Sequence, residues 1–137
     1  MTVSDNYYID AVIVRGTSKT HSVSINQKTE DGLAFEPFNL SDYYIRFRVL
    51  GSATADALVL LEKIITQASD EDVDGIITDA SNGQFQFHIT AEDTNTLGTG
   101  KFPISIEVMD ADTDESLFTL TEGGYKGEFN AIQITEV

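Results

Sequence analysis

The residues with the strongest chemical reading are Ser69-Asp70-Glu71-Asp72-Val73-Asp74-Gly75-Ile76-Ile77. Asp at alternate positions followed by Gly is how an EF-hand calcium loop begins. Such a loop takes oxygen ligands from positions 1, 3 and 5, a Gly at 6 and a bidentate Glu at 12. Counted from Asp70, the ligands are Asp72 and Asp74, the glycine is Gly75, and position 12 is Ser81, which offers no bidentate carboxylate. The exit runs into Ile76-Ile77-Thr78, a β-type segment rather than a helix. Asp110-Ala-Asp112-Thr-Asp114 repeats the alternation without the glycine, and its twelfth position is Thr121. The stretch therefore reads first as an acidic turn in which Gly75 supplies a permissive backbone. A weak, millimolar-class calcium site at Asp70–Asp74 is the alternative.

No other group of residues spells a reaction. His21 and His88 are far apart in sequence, and each is expected in a surface or packing role. His88 falls on the polar side of its segment, and His21 shares a side with Val23 and Ile25. No HExxH, GxSxG, GxGxxG or GxxxxGK[ST] pattern occurs. Carboxylate pairs mean little in a chain with 23 acidic residues. Cysteine is absent, which removes disulfides, thiolate metal sites and thiol nucleophiles. No residue is assigned a catalytic, cofactor-binding or metal-ligating role, no cofactor is expected, and the chain is not expected to be an enzyme. The formal net charge of -15 repels nucleic acid phosphates and anionic membranes, so neither is expected as a partner. Arg46 and Arg48 beside Tyr44 are too few bases to reverse that field. No apolar run approaches a membrane span, and the N-terminus lacks the features of a signal peptide, so secretory export is not expected. The Asn39-Leu-Ser41 sequon is then without consequence.

The elements that must position these residues read as strands. Tyr8–Val14 is apolar and β-branched, and Arg15-Gly16-Thr17 breaks it. Val23 and Ile25 alternate with Ser22 and Ser24, and Glu30-Asp31-Gly32 marks a turn. Tyr43, Ile45, Phe47 and Val49 point one way, Tyr44, Arg46 and Arg48 the other. A strand is expected over Leu60–Thr66, preceded by irregular chain or one short helical turn near 53–60. Phe85, Phe87 and Ile89 alternate with Gln84, Gln86 and His88, and Phe102–Val108 alternates likewise. Pro103 cannot donate to a ladder, so that strand is expected to begin there or to lie at an edge. Leu117–Leu120 and Phe129–Ile134 complete about eight short strands. A strand with one apolar face needs a second sheet to cover it, which predicts an all-β, antiparallel β-sandwich in a single domain over 1–137. A closed barrel satisfies the same pattern.

The second half carries a further pattern: Asp79-Ala-Ser-Asn82-Gly83, then Phe85-Gln-Phe87, then Thr90-Ala-Glu92-Asp93-Thr94. Gly100 precedes Phe102–Val108, Asp110 opens an acidic turn, and Gly127 precedes Phe129. In the first half, Arg15-Gly16-Thr17 and Asn39-Leu-Ser41-Asp42-Tyr43 agree more loosely. This pattern resembles an Ig-like β-domain of bacteriophage virions, that of the N-terminal domain of upper baseplate proteins and of small tail and neck proteins. The resemblance implies an Ig-like sandwich and a non-enzymatic structural part of the tail, baseplate or neck. It implies location in the virion after synthesis in the host cytoplasm, and docking on other virion structural proteins. It also implies a homo-oligomer or many copies on a symmetric ring. A capsid decoration or cement protein is the near alternative. A calcium-assisted binding module is the alternative of another class.

Overall fold

The computed structural model describes residues 10–52, 57–68, 74–119 and 131–136. Tyr8, Ile9, Leu120, Gly127, Phe129 and the acidic positions 70–72 lie outside them. The larger sheet contains β1 (Asp10–Val14), β5 (Tyr43–Leu50), β6 (Val59–Ile65), β9 (Gly100–Asp110), β10 (Ser116–Thr119) and β11 (Ala131–Thr135). Its order is β1-β11-β9-β5-β6, with β10 also on β9. The smaller sheet contains β2 (Lys19–Ser24), β7 (Gly75–Asp79) and β8 (Gln84–Ile89), in the order β2-β8-β7. A separate hairpin pairs β3 (Asn26–Lys28) with β4 (Phe35–Pro37).

The alternation read from the sequence decides which side of each strand is covered. Ile45, Phe47 and Val49 of β5 are fully buried, as are Ile106 and Val108 of β9. From the other sheet come Val23, Ile77, Phe85, Phe87 and Ile89, all in the same core. The two layers meet where the ring of Phe47 stacks on that of Phe87, centroids 4.4 Å apart and planes 22° off parallel. Burial of each such aromatic side chain contributes about 1.5–3 kcal/mol. Two packed, mostly antiparallel sheets form a β-sandwich, the class expected from the residues.

Several details differ from expectation. Eleven strands occur among the described residues, against about eight. The extra ones include the β3–β4 hairpin, whose three-residue arms have too little alternation to be read. β1 pairs parallel to β11, with Val14 opposite Thr135, so the sheet is not wholly antiparallel. The strand expected over Leu60–Thr66 is β6, and Ala57 and Leu58 before it are irregular rather than helical. The rest of the expected helical turn falls on residues outside the description, apart from Val59 and Leu60, which belong to β6. Pro103 neither begins its strand nor marks an edge: β9 starts at Gly100 and lies inside the sheet. The β5 ladder begins one residue later, at Ile104, so the missing N–H removes no rung from it.

A helix was not anticipated. α1 (Ala91–Leu97) begins in the Thr-rich segment, where Thr90 and Asp93 form a capping box. Asp93 N donates to Thr90 Oγ1 (3.1 Å), and Thr90 N donates to Asp93 Oδ2 (2.8 Å). That Thr-x-x-Asp spacing is a sequence signal for a helix start.

Candidate functional site

Asp74 and Gly75 are the part of the acidic stretch that the structure describes. Asp74 offers its carbonyl to His88 N (3.1 Å), and Gly75 opens β7 opposite Phe87. Gly75 has φ +129°, and a Cβ there would collide with the Gln86 carbonyl oxygen and lie 2.6 Å from Phe87 Cα. The glycine is accounted for by close approach of two strands, without any metal. The strands on either side of the stretch are not paired as a hairpin: β6 lies in the larger sheet and β7 in the smaller, with Ile77 N donating to Thr66 O just past β6 at 3.0 Å. Among the described residues, no group of three or more His, Asp or Glu is arranged to hold a metal ion.

The histidines sit on opposite sides of the smaller sheet, as expected, but each has a neighbour. His88 Nδ1 and Thr20 Oγ1 share a hydrogen bond of 2.7 Å across β2 and β8. His21 stacks on Phe87, with centroids 5.0 Å apart. Burial, helped by the charge of Lys19, pushes the His21 imidazole down to about 4. Its Nε2 is buried without a hydrogen-bond partner. His21 is therefore neutral in the folded protein, while in the unfolded chain it takes a proton below its ordinary value of 6.5. Stability from this residue is complete above about pH 6.5 and is lost as the pH falls towards 4. Because His21 is part-exposed, the loss is on the order of 1–2 kcal/mol. Urea unfolding of the wild type and His21→Gln between those limits checks it: the difference between the two proteins should slope with pH. Parallel curves would refute it. The window is distinct from that of Asp31 and Asp79. Hydrogen bonds, first from Thr29 and Asn82 respectively, hold those carboxyls below their ordinary value.

Among the described residues that carry the resemblance, the polar ones and Gly83 build turns and caps, while Phe85 and Phe87 are core. Asp79 accepts from Asn82 Nδ2 (2.7 Å) and Ser81 Oγ (3.1 Å) around a single 3₁₀ turn, Ala80–Asn82. Gly83 closes it at φ +67°, where a Cβ would press on the carbonyl oxygens of Ile25 and Phe38 at 2.5 and 2.6 Å. Asn39 Oδ1 accepts from Ser41 N, and Asp110 Oδ1 from Asp112 N. Fully buried Thr94 accepts from Gly16 N at 2.9 Å, joining the Arg15-Gly16-Thr17 segment to α1. Arg46 and Arg48 are each held by a carboxylate. Arg46 Nη2 donates to both carboxylate oxygens of Glu107 at 2.9 Å, and Arg48 Nε donates to Glu62 Oε2 at 2.7 Å.

The surface holds what the sequence reading missed. Leu33 is 87% exposed at the tip of the β3–β4 hairpin, and Phe35 beside it is 52% exposed. Leu58 is 72% exposed just before β6, followed by Val59 and Leu60. Val12 and Val14 stand out on β1, the last strand at the opposite edge of the sheet. The backbone that carries these side chains is hydrogen-bonded. Gly32 N donates to Thr29 O and Leu33 N to Asp31 Oδ1, both 2.9 Å, and Gly51 N donates to Leu58 O at 2.9 Å. Apolar side chains displayed this way suit protein contacts.

The fold and surface together define a β-sandwich that presents apolar side chains at its ends and edges. No family model matches the chain, and no curated protein is significantly similar to it. Among solved structures it is similar to the NK cell receptor Nkp44, a triggering partner in natural cytotoxicity. The two share 12% identity with a TM-score of 0.40, over 93% of this chain and 97% of that one. A likeness at that level carries no argument about function.

Proposed function

We propose that the chain is a non-enzymatic structural component of a bacteriophage virion, in the tail, baseplate or neck, where it docks on other virion proteins. The observation that carries this reading is the display of apolar side chains on hydrogen-bonded turns and edge strands, Leu33, Leu58 and Val12 foremost. The turn and strand pattern over 76–134 supports it by resemblance. Among the described residues of that pattern, Asp79, Asn82, Thr90, Asp93 and Asp110 serve as caps and turns and Phe85 and Phe87 as core, a scaffold's use of side chains. Edge strands and end loops of a sandwich are the places where a neighbouring protein adds contacts.

Quantitative mass spectrometry of purified particles tests the reading. The chain should co-purify with particles at a fixed ratio to the tail tube subunit. A ratio matching the major shell protein would move it to capsid decoration, and absence from particles would overturn both.

A further inference from the structure

We propose that copies of this chain associate head to tail, the hairpin end of one seating on the Leu58 end of the next. Strand register fixes the two ends. Tyr43 lies opposite Asp110, and Ile25 N and Phe38 N bond to the Gly83 and Ile25 carbonyls, so the β3–β4 hairpin leaves the sandwich beside the Asp110–Asp114 turn. At the other end, Leu50 pairs with Val59, Ile134 with Gly100 and Val14 with Thr135. The rim of the larger sheet there runs through Arg15, Lys101, Gly51 and Leu58.

Charge divides along the same axis. Glu30, Asp31 and Glu36 flank Leu33 and Phe35 on the hairpin, and Asp110, Asp112 and Asp114 lie at the same end of the sandwich. Among the described residues, Lys28 is the one base at that end. Arg15, Lys19, Arg48 and Lys101 lie at the other end, interspersed with Glu62, Glu92, Asp93 and Glu136, so that end is charge-mixed where the hairpin end is acidic. Arg15 is paired with Glu136 on exposed side chains, and Arg48 with Glu62 on partly exposed ones. Such surface pairs are worth about 0–1 kcal/mol and exchange partners at little cost. An acidic end with a protruding apolar tip therefore faces, in the next copy, a charge-mixed end with an exposed apolar strip. Contact between two hairpin ends would set carboxylates against carboxylates, and only the unlike end offers several bases to Glu30, Asp31 and Glu36. The complementarity selects a heterologous contact, which closes into a ring or continues as a filament. The inference goes beyond the virion reading and does not need it: failure of self-association leaves particle incorporation untouched.

The test is sedimentation velocity on the wild-type chain, Leu33→Asp and Leu58→Asp. Both residues are exposed, so both variants keep the fold, which circular dichroism verifies. The wild type should form assemblies that grow with concentration and weaken with salt. Each variant alone should stay monomeric, its affinity reduced by about tenfold or more. Mixing the two variants should produce dimers and nothing larger, since the mixture retains one intact contact between unlike ends. A monomeric wild type at all concentrations, a variant that assembles normally, or a mixture without dimers would each overturn the proposal.

Discussion

Lys63→Met should lower the unfolding free energy by about 3–5 kcal/mol, the largest single effect expected in this chain. Lys63 is an inward-facing residue of β6, opposite Phe47, and is 3% exposed. Its ammonium lies 2.7 Å from Asp93 Oδ2, on a carboxylate that is itself mostly covered. The same oxygen accepts from Thr90 N and so caps α1. The pair thus ties the larger sheet to the helix that follows β8. Removing only the ammonium leaves a carboxylate shielded from water and short of a partner. Removing both charges does not. Lys63→Met with Asp93→Asn retains an acceptor for Thr90 and should lie within about 2 kcal/mol of the wild type. Chemical denaturation of the two single variants and the double one measures the coupling. If the double variant is as unstable as Lys63→Met, the pair is not what holds β6 to α1.

The sandwich was legible because its core strands alternate cleanly. Phe85, Phe87 and Ile89 could bury one face only, and the same holds for Ile45, Phe47 and Val49. The β1–β11 pair was not legible as parallel, because a single strand's alternation says nothing about its partner's direction. α1 was overlooked although Thr90-x-x-Asp93 announced it: seven residues with one buried position, Thr94, leave no apolar stripe to read. Lys63 was hidden for a related reason. Leu61 and Ile65 put position 63 on the inner face, but a lysine there breaks the apolar pattern and does not announce a buried charge. The surface was the least legible part. Leu33 and Leu58 are ordinary apolar residues until register places them at opposite ends of the molecule. The acidic stretch was legible in part: Gly75 reads first as a backbone glycine, but its spacing fits a calcium loop as well as a crowded strand.

Gly75→Ala separates those two uses of one glycine, and should destabilise the protein by about 3 kcal/mol whether or not calcium is present. The cost has two sources. The backbone at φ +129° is one that an L-residue rarely adopts, and the new methyl meets backbone atoms of Gln86 and Phe87 rather than a side chain that could turn aside. Strand β8 cannot retreat easily, because Phe87 is fixed between Phe47 and His21. If the glycine served a metal loop instead, its effect would depend on the metal and be shared by the carboxylates. Asp72→Ala is the control, and a change at this acidic position should stay within about 0.5 kcal/mol of the wild type. Thermal unfolding of the three proteins with calcium and with chelator gives the result. A wild type whose melting temperature rises with calcium, and an Asp72→Ala variant in which that rise is gone, would return the stretch to a binding site. A calcium-independent loss confined to Gly75→Ala identifies it as the point where two strands come too close for any side chain.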